Sequence, residues 1–251
     1  MPDSNRWNYV LKFKWRWARE RPEDELLKLA KKKCVWGAVS LDYYKEIEKL
    51  LQAIRDAIKC HRSLCYDAKI LHQDISPGNM IILDDQDEGK PNGILIDLDS
   101  ATEVTEGLGA EPGITGTRPF MAIGVLKGEC HTYRHDLESF LYVFLWTVIT
   151  NHTENPPETS KLRQWSNGDW NELAVRKALD MNQDNFRNIL EEFTPEFHSL
   201  KPLAESLRQI LFPLRDGVIW TGTDGSPEAV SKLYDGITRA FEEAIASEGG
   251  R

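Results

Sequence analysis

The sequence predicts an α+β fold in which a small strand-and-helix beginning leads into a larger helical body. Three observations carry that prediction. Residues 9–17, YVLKFKWRW, alternate apolar and cationic side chains as a half-buried strand does. Residues 79–98 hold two short apolar runs, NMIIL and ILIDL, on either side of an acidic turn. After Tyr133 helical periodicity continues almost to the end of the chain.

In the first strand Leu11, Phe13, Trp15 and Trp17 share one face, and Lys12, Lys14 and Arg16 share the other. The next stretch, RPEDELLKLAKKK, reads as a short helix. Pro22 suits its first position, and Glu23, Asp24 and Glu25 sit at its positive N-terminal end. From about Tyr43 to Tyr66, Ile47, Leu50, Leu51, Ile54, Ile58 and Leu64 recur at helical spacing, as one long amphipathic helix or a helix pair. NMIIL then pairs with ILIDL across a turn containing Pro91, Asn92 and Gly93. Residues 100–128 are rich in Gly, Thr and Pro with little periodicity, so a long loop is expected there. Helices are predicted at 136–150, 170–181, 184–195, 203–213 and 228–247, with loops at 151–160 and 221–228.

A chain of 251 residues holds one large domain or two small ones. Its 41% apolar and 28% charged content is ordinary for a soluble globular protein. The net charge of −9 argues against nucleic acid or an anionic membrane as the main partner. Cys34, Cys60, Cys65 and Cys130 show no metal-ligand spacing. The start lacks the apolar core of a signal peptide, and the most apolar run, LESFLYVFLWTVI, is too short to span a bilayer. The expectation is a reduced, intracellular chain, cytoplasmic or nuclear, that binds neither membrane nor nucleic acid.

Phosphoryl transfer asks few groups of a protein, because positioning and charge stabilisation supply most of the rate. One carboxylate must orient the attacking hydroxyl, and oxygen ligands must hold a divalent cation against the phosphates. His72-Gln73-Asp74-Ile75-Ser76-Pro77-Gly78-Asn79 matches the protein-kinase catalytic loop H-R-D-L-x-x-x-N at its His, Asp and Asn. Ile96-Asp97-Leu98-Asp99, ending the second apolar run, offers Asp97 as the main metal ligand. An Asp near an Asn is ordinarily only a turn, and an Asp ending a strand only a cap. Their order and the hairpin between them carry the reading.

Thr115-Gly116-Thr117-Arg118-Pro119-Phe120-Met121-Ala122 resembles the end of a kinase activation segment. Arg134-His135-Asp136 resembles the segment whose buried Asp ties down the catalytic-loop backbone. Together LHQDISPGN, GILIDLDSA, TGTRPFMA and HTYRHDLESFLYVFLW resemble the fungal-type protein kinases, over roughly residues 8–215. That resemblance implies a single protein kinase-like domain. Its truncated, β-containing N-terminal lobe would be residues 1–42. Its large, mainly α-helical C-terminal lobe would be 43–251, with catalytic loop 72–79 and activation segment 97–124. It further implies Asp74 as base, Asn79 and Asp97 as Mg²⁺ ligands, and Lys12 on the α- and β-phosphates of ATP. Glu25 would be the ion-pair partner of Lys12, with Lys14 and Glu23 as substitutes for the pair. Thr117 would bridge to Asp74 and suit a Ser/Thr acceptor in a protein substrate.

The pattern is not complete. Gln73 replaces the arginine that receives an activation-loop phosphate, which argues against control through Thr102, Thr105 or Thr115. Ser76 replaces a lysine, and Asp99 stands at the Gly of Asp-Phe-Gly. Gly124 takes the place of a buried glutamate, so a late arginine, Arg208 or Arg215, is expected to lack its partner at a cost in stability. No glycine occurs in the eleven residues before Lys12, and GLGAEPG at 107–113 follows Asp97. Between Val39 and Tyr43 there is no room for strands to carry adenine. These gaps keep a second reading open, a pseudokinase that serves as a protein-binding scaffold without transfer. A small-molecule phosphotransferase of the aminoglycoside or choline type shares the Asp…Asn…Asp order but lacks a segment like TGTRPFMA. A simple helical interaction protein would need no such hairpin.

Overall fold

The computed structural model describes residues 43–83, 89–104, 110, 112–151, 153 and 155–249. The strand predicted at 9–17, the helix after Pro22, and with them Lys12, Lys14, Glu23 and Glu25, lie outside the described residues. So do Thr105 and Gly107 to Gly109. What is described is a mixture of helices and small two-stranded sheets, with helix dominant, as an α+β kinase-like fold requires.

Helix α1 (Tyr43–Tyr66) is one continuous helix. Leu51, Ala53, Ile54, Ala57 and Ile58 on its inner face are completely buried. That face packs on α7 (Pro227–Gly249), on α3 (Tyr133–Thr150) and on the hairpin of β2 (Met80–Ile82) and β3 (Gly93–Leu95). The hairpin register pairs Met80 with Leu95, Ile81 with Ile94 and Ile82 with Gly93. A side chain at 93 would put a Cβ 2.0 Å from the Ala53 carbonyl, so only glycine lets the hairpin lie this close to α1. Asp56 completes the docking by accepting from the Asn92 N–H at 2.7 Å and from its amide at 3.1 Å. Beside it, β1 (Ile70–Leu71) pairs antiparallel with β4 (Thr102–Glu103).

Within the predicted loop at 100–128, the described residues include short pieces: β4, a 3₁₀ turn over Arg118–Phe120, and the single-turn helix α2 (Ile123–Leu126). Helix α3 is the hub and is buried almost throughout, which is why its apolar residues show no single stripe. It starts before the predicted 136 because Thr132 and His135 form a reciprocal cap. After α3 come a 3₁₀ turn (Leu162–Ser166), α4 (Trp170–Asp180), α5 (Gln183–Leu190), a second 3₁₀ turn (Pro195–Leu200) and α6 (Lys201–Leu211). Helix α5 stops short of the predicted 195 because Pro195 disfavours helix at the residue before it. Helix α6 ends at Leu211, two residues before Pro213, for the same reason. A hairpin of β5 (Leu214–Arg215) and β6 (Val218–Ile219) was not predicted. Its turn residues Asp216 and Gly217 both have positive φ, 51° and 78°, the Asp-Gly signature of a tight hairpin. No helix among the described residues is long and apolar enough to cross a membrane.

The expected orphan arginine is not found. Arg208 is buried but donates to Glu205 at 2.7 Å and lies over the Phe186 ring. Arg215 lies over Trp220 at 3.5 Å. The buried Arg–Glu pair of the body lies instead within α3, where Arg134 donates to Glu138 at 2.7 Å. Residue 124 has no space for a glutamate, because a Cβ there would fall 2.3 Å from His135 Nε2. The imidazole of His135 occupies the room that a side chain at 124 would need.

Candidate active site

The segment from His72 to Asn79 links β1 to β2 and is held from beneath by Asp136, on the first turn of α3. Asp136 is completely buried. It accepts from the His72 N–H at 3.1 Å and the Gln73 N–H at 3.2 Å. It also accepts from His61 Nε2 and His131 Nε2, each at 2.8 Å. One carboxylate thus ties α1, the catalytic loop and α3 together. The His72 ring spans the next layer. Its Nε2 donates to the Ile96 carbonyl at 3.0 Å and its Nδ1 accepts from the Asp74 N–H at 3.4 Å, which fixes one tautomer.

Gln73 adopts φ 65°, a left-handed conformation that costs about 1 kcal/mol for an L-residue. Its bond to Asp136 offsets that cost, and the reversal leaves the next residue, Asp74, half-exposed. Asp74 Oδ1 accepts from both the N–H and the hydroxyl of Thr117, each at 2.7 Å. Its Oδ2 accepts from Asn79 Nδ2 at 3.1 Å, and the same amide nitrogen donates to the Asp74 carbonyl at 2.9 Å. The close approach of the two loops requires glycine at 116, where φ is 118° and a Cβ would sit 2.9 Å from the Gln73 carbonyl.

Of the residues named from sequence, Asp74, Asn79 and Thr117 therefore meet around one carboxylate. Asp97 lies at the adjoining turn, since the N–H of its neighbour Ile96 donates to the Asn79 carbonyl at 3.0 Å. Asp97 is exposed, with φ 62°, and its Oδ1 accepts from the Asp99 N–H at 3.3 Å. The donor set suits a hard divalent cation. Asn79 gives its Nδ2 to Asp74, and its Oδ1 has no protein donor among the described residues. With the Asp97 carboxylate it could offer two oxygens, the sparse protein contribution that Mg²⁺ accepts when phosphates and waters complete its shell.

Asp136 was singled out in the sequence as the Asp that ties down this loop backbone, and it does hold the His72 and Gln73 N–H groups. The other supports were not: His61 lies on the inner face of an apolar helix and looks like core, and His131 and Glu138 fall inside the quoted HTYRHDLESF stretch without a role assigned to them. Burial alone would push the His61 imidazolium down, but the Cys65 sulfur and the Asp136 carboxylate hold its pKa up at about 10. His135 goes the other way. Burial lowers it to about 4, in keeping with an Nδ1 that accepts from the Thr132 N–H at 3.1 Å. Both make stability depend on pH. A histidine kept neutral in the fold costs stability as pH falls from its unfolded value of about 6.5 through its folded value. One kept charged supplies stability that is full below about 6.5 and lost as pH rises through its folded value. The stability difference between the wild type and His135→Gln is therefore expected to shrink on acidification from about pH 7 to pH 4. The limiting slope is about 1.4 kcal/mol per pH unit. Denaturation midpoints across that window check this, and a constant difference would count against a neutral buried His135.

Residues 38–148 match the family described as fungal protein kinase. Over 114 residues the chain is 31% identical to a mitogen-activated protein kinase kinase kinase 7-like protein of Drosophila melanogaster, a stretch that takes in 42% of this chain. The same stretch spans only 27% of that relative's length. Both matches fit the resemblance read from the sequence: residues 38–148 are similar to the fungal protein kinase family. That span includes the catalytic loop, the Asp97 turn, the activation segment and nearly all of α3.

Proposed function

We propose that the protein binds Mg·ATP and transfers the γ-phosphate to a Ser or Thr hydroxyl of a protein substrate. The observation that supports this most is the arrangement around Asp74. Its two oxygens are oriented by Thr117 on one side and Asn79 on the other. In the reaction the Asp74 carboxylate orients the acceptor hydroxyl and takes up its proton. Asn79 and Asp97 would hold a divalent cation, which would supply charge screening between the phosphates. A hydroxyl at 117 beside the base leaves room for a short aliphatic acceptor, which favours Ser/Thr over Tyr. Lys12 would contact the α- and β-phosphates, with Glu25 as its ion partner.

Thermal unfolding with and without Mg·ATP tests the nucleotide half of the proposal. A ligand that binds only the folded state raises stability by RT ln(1 + [L]/Kd), about 2.7 kcal/mol at a hundredfold excess over Kd. The wild type is expected to gain stability and Asp97→Ala to lose most of that gain. Phosphate transfer to a Ser/Thr peptide pool, with Asp74→Asn reduced by at least about a hundredfold, tests the chemistry. No stabilisation at millimolar nucleotide and no transfer would replace the proposal by the scaffold reading.

A further inference from the structure

Helix α4 carries a lysine with no exposed surface. Lys177 is completely buried, yet no carboxylate pairs with it among the described residues. The two acids near enough to act on it are already engaged. Glu138 binds Arg134, Tyr142 and the Ile123 N–H. Asp180 binds Trp165 Nε1 at 2.9 Å and Lys161 at 3.2 Å. Lys177 Nζ instead donates to two backbone carbonyls, Pro119 and Met121, both at 2.7 Å. The remaining side of the amine faces the Tyr142 ring at 3.8 Å and the Trp165 ring at 4.8 Å.

Burying an unpaired amine is costly, and here the acceptors that offset the cost belong to a loop. Burial pushes the Lys177 ammonium well below its usual range, against the pull of Glu138 and Asp180. Charged or neutral, the amine retains the two N–H bonds that the two carbonyls need. The loop gains equally, since its turn between Thr117 and Met121 offers buried carbonyls to no strand or helix. The same helix grips it a second time. Trp170 stacks under the Arg118 guanidinium at 4.2 Å, and Arg118 Nη2 donates to the Gly168 carbonyl.

We infer that Lys177 is a positioning residue for acceptor recognition: it fixes the carbonyls of 119 and 121, and through that turn holds Thr117 against Asp74. The inference rests on the proposed kinase reading for its consequence in catalysis, but its geometry is testable without any activity. The Thr117 N–H donates to Asp74, so its hydrogen exchange reports directly on the loop's seat. In Lys177→Met, Thr117 exchange is expected to quicken at least about tenfold while the α3 core amides keep their protection. Lys177→Arg, which retains donors, should restore part of it. Val175→Ser, on the exposed side of the same helix, should change neither.

Should Lys177→Met fail to fold, native-state exchange of the wild type decides instead. Thr117 and Met121 are expected to open with the same free energy as the α4 amides around Lys177. Opening of the loop at far lower free energy than α4, or unchanged Thr117 protection in Lys177→Met, would overturn the inference whether or not the protein transfers phosphate. Where the wild type does transfer, Lys177→Met should lose about a hundredfold in kcat/KM for the peptide, the scale set by a displacement of about 1 Å. Its KM for ATP should stay unchanged. An equal rise in the ATP KM would also overturn it.

Discussion

Asp136→Ala is expected to destabilise the protein by about 3–5 kcal/mol, the range for stripping a buried charge network of one member. No other side chain in the site serves so many partners. Its removal leaves the His61 and His131 rings without their acceptor and orphans the N–H groups of His72 and Gln73. Each orphaned buried donor costs about 1–3 kcal/mol before relaxation. A domain with a total stability of about 5–15 kcal/mol can survive that loss, but with little margin. The left-handed backbone at Gln73 then has nothing to offset its strain, so the catalytic loop should release first. Chemical denaturation reads the global loss, and exchange at the His72 and Gln73 amides reads the local one. Asp136→Asn keeps one acceptor oxygen and should fall between. A midpoint shift worth less than about 1 kcal/mol for Asp136→Ala would show that the loop is held by other means. The pH dependence follows from the same residue. His131 and His61 hold the Asp136 carboxyl below the usual range despite its burial. Its stabilisation is therefore complete above the unfolded value of about 4 and is lost as acid carries the pH down toward the folded one.

The second large effect is expected at Glu138, again about 3–5 kcal/mol on change to alanine. Its carboxylate accepts from Arg134, from the Tyr142 hydroxyl and from the Ile123 N–H that opens α2, each at 2.7 Å. Without it the Arg134 guanidinium is buried with only the Leu211 carbonyl and the Phe212 ring beside it. The cost should thus be mostly the stranded cation. The double change Arg134→Met with Glu138→Leu removes that cation and is expected to be less destabilising than Glu138→Ala alone. Calorimetry of the two variants settles it. A double variant as unstable as the sum of the singles would mean that packing, not pairing, dominates at this position.

Helices α1, α3, α4, α6 and α7 were legible because their apolar residues follow one period over many turns or form an unbroken buried run. Residues 72–79 were legible as a loop because their His, Asp and Asn keep the spacing of the protein-kinase pattern, and the structure brings Asp74 and Asn79 together. Of the supports, Asp136 was legible through its Arg-His-Asp motif, but its histidine partners and the others were not, for a physical reason. Lys177 binds carbonyl oxygens 56 and 58 residues away, and every residue has a carbonyl, so no side-chain pattern marks the partner. Asp56 reaches Asn92, and Asp136 reaches His61, across similar distances in sequence. The expectation of an unpaired late arginine failed because it assumed that a pair lost at one position is not rebuilt at another. The β5–β6 hairpin did carry a local signal, the Asp216-Gly217 step, that was passed over in a region rich in helix.

The grips on the segment from 117 to 123 share one property. Lys177 takes the carbonyls of Pro119 and Met121, Glu138 takes the N–H of Ile123, and Asp74 takes the N–H of Thr117 as well as its hydroxyl. Each of these holds main-chain atoms, which are the same whatever residue is encoded, while the Thr117 hydroxyl and the Arg118 guanidinium are held as well. Apart from Thr117 and Arg118, the segment is fastened by its chain path. A substitution at a side chain of this segment other than Thr117 or Arg118 can therefore leave these main-chain grips in place.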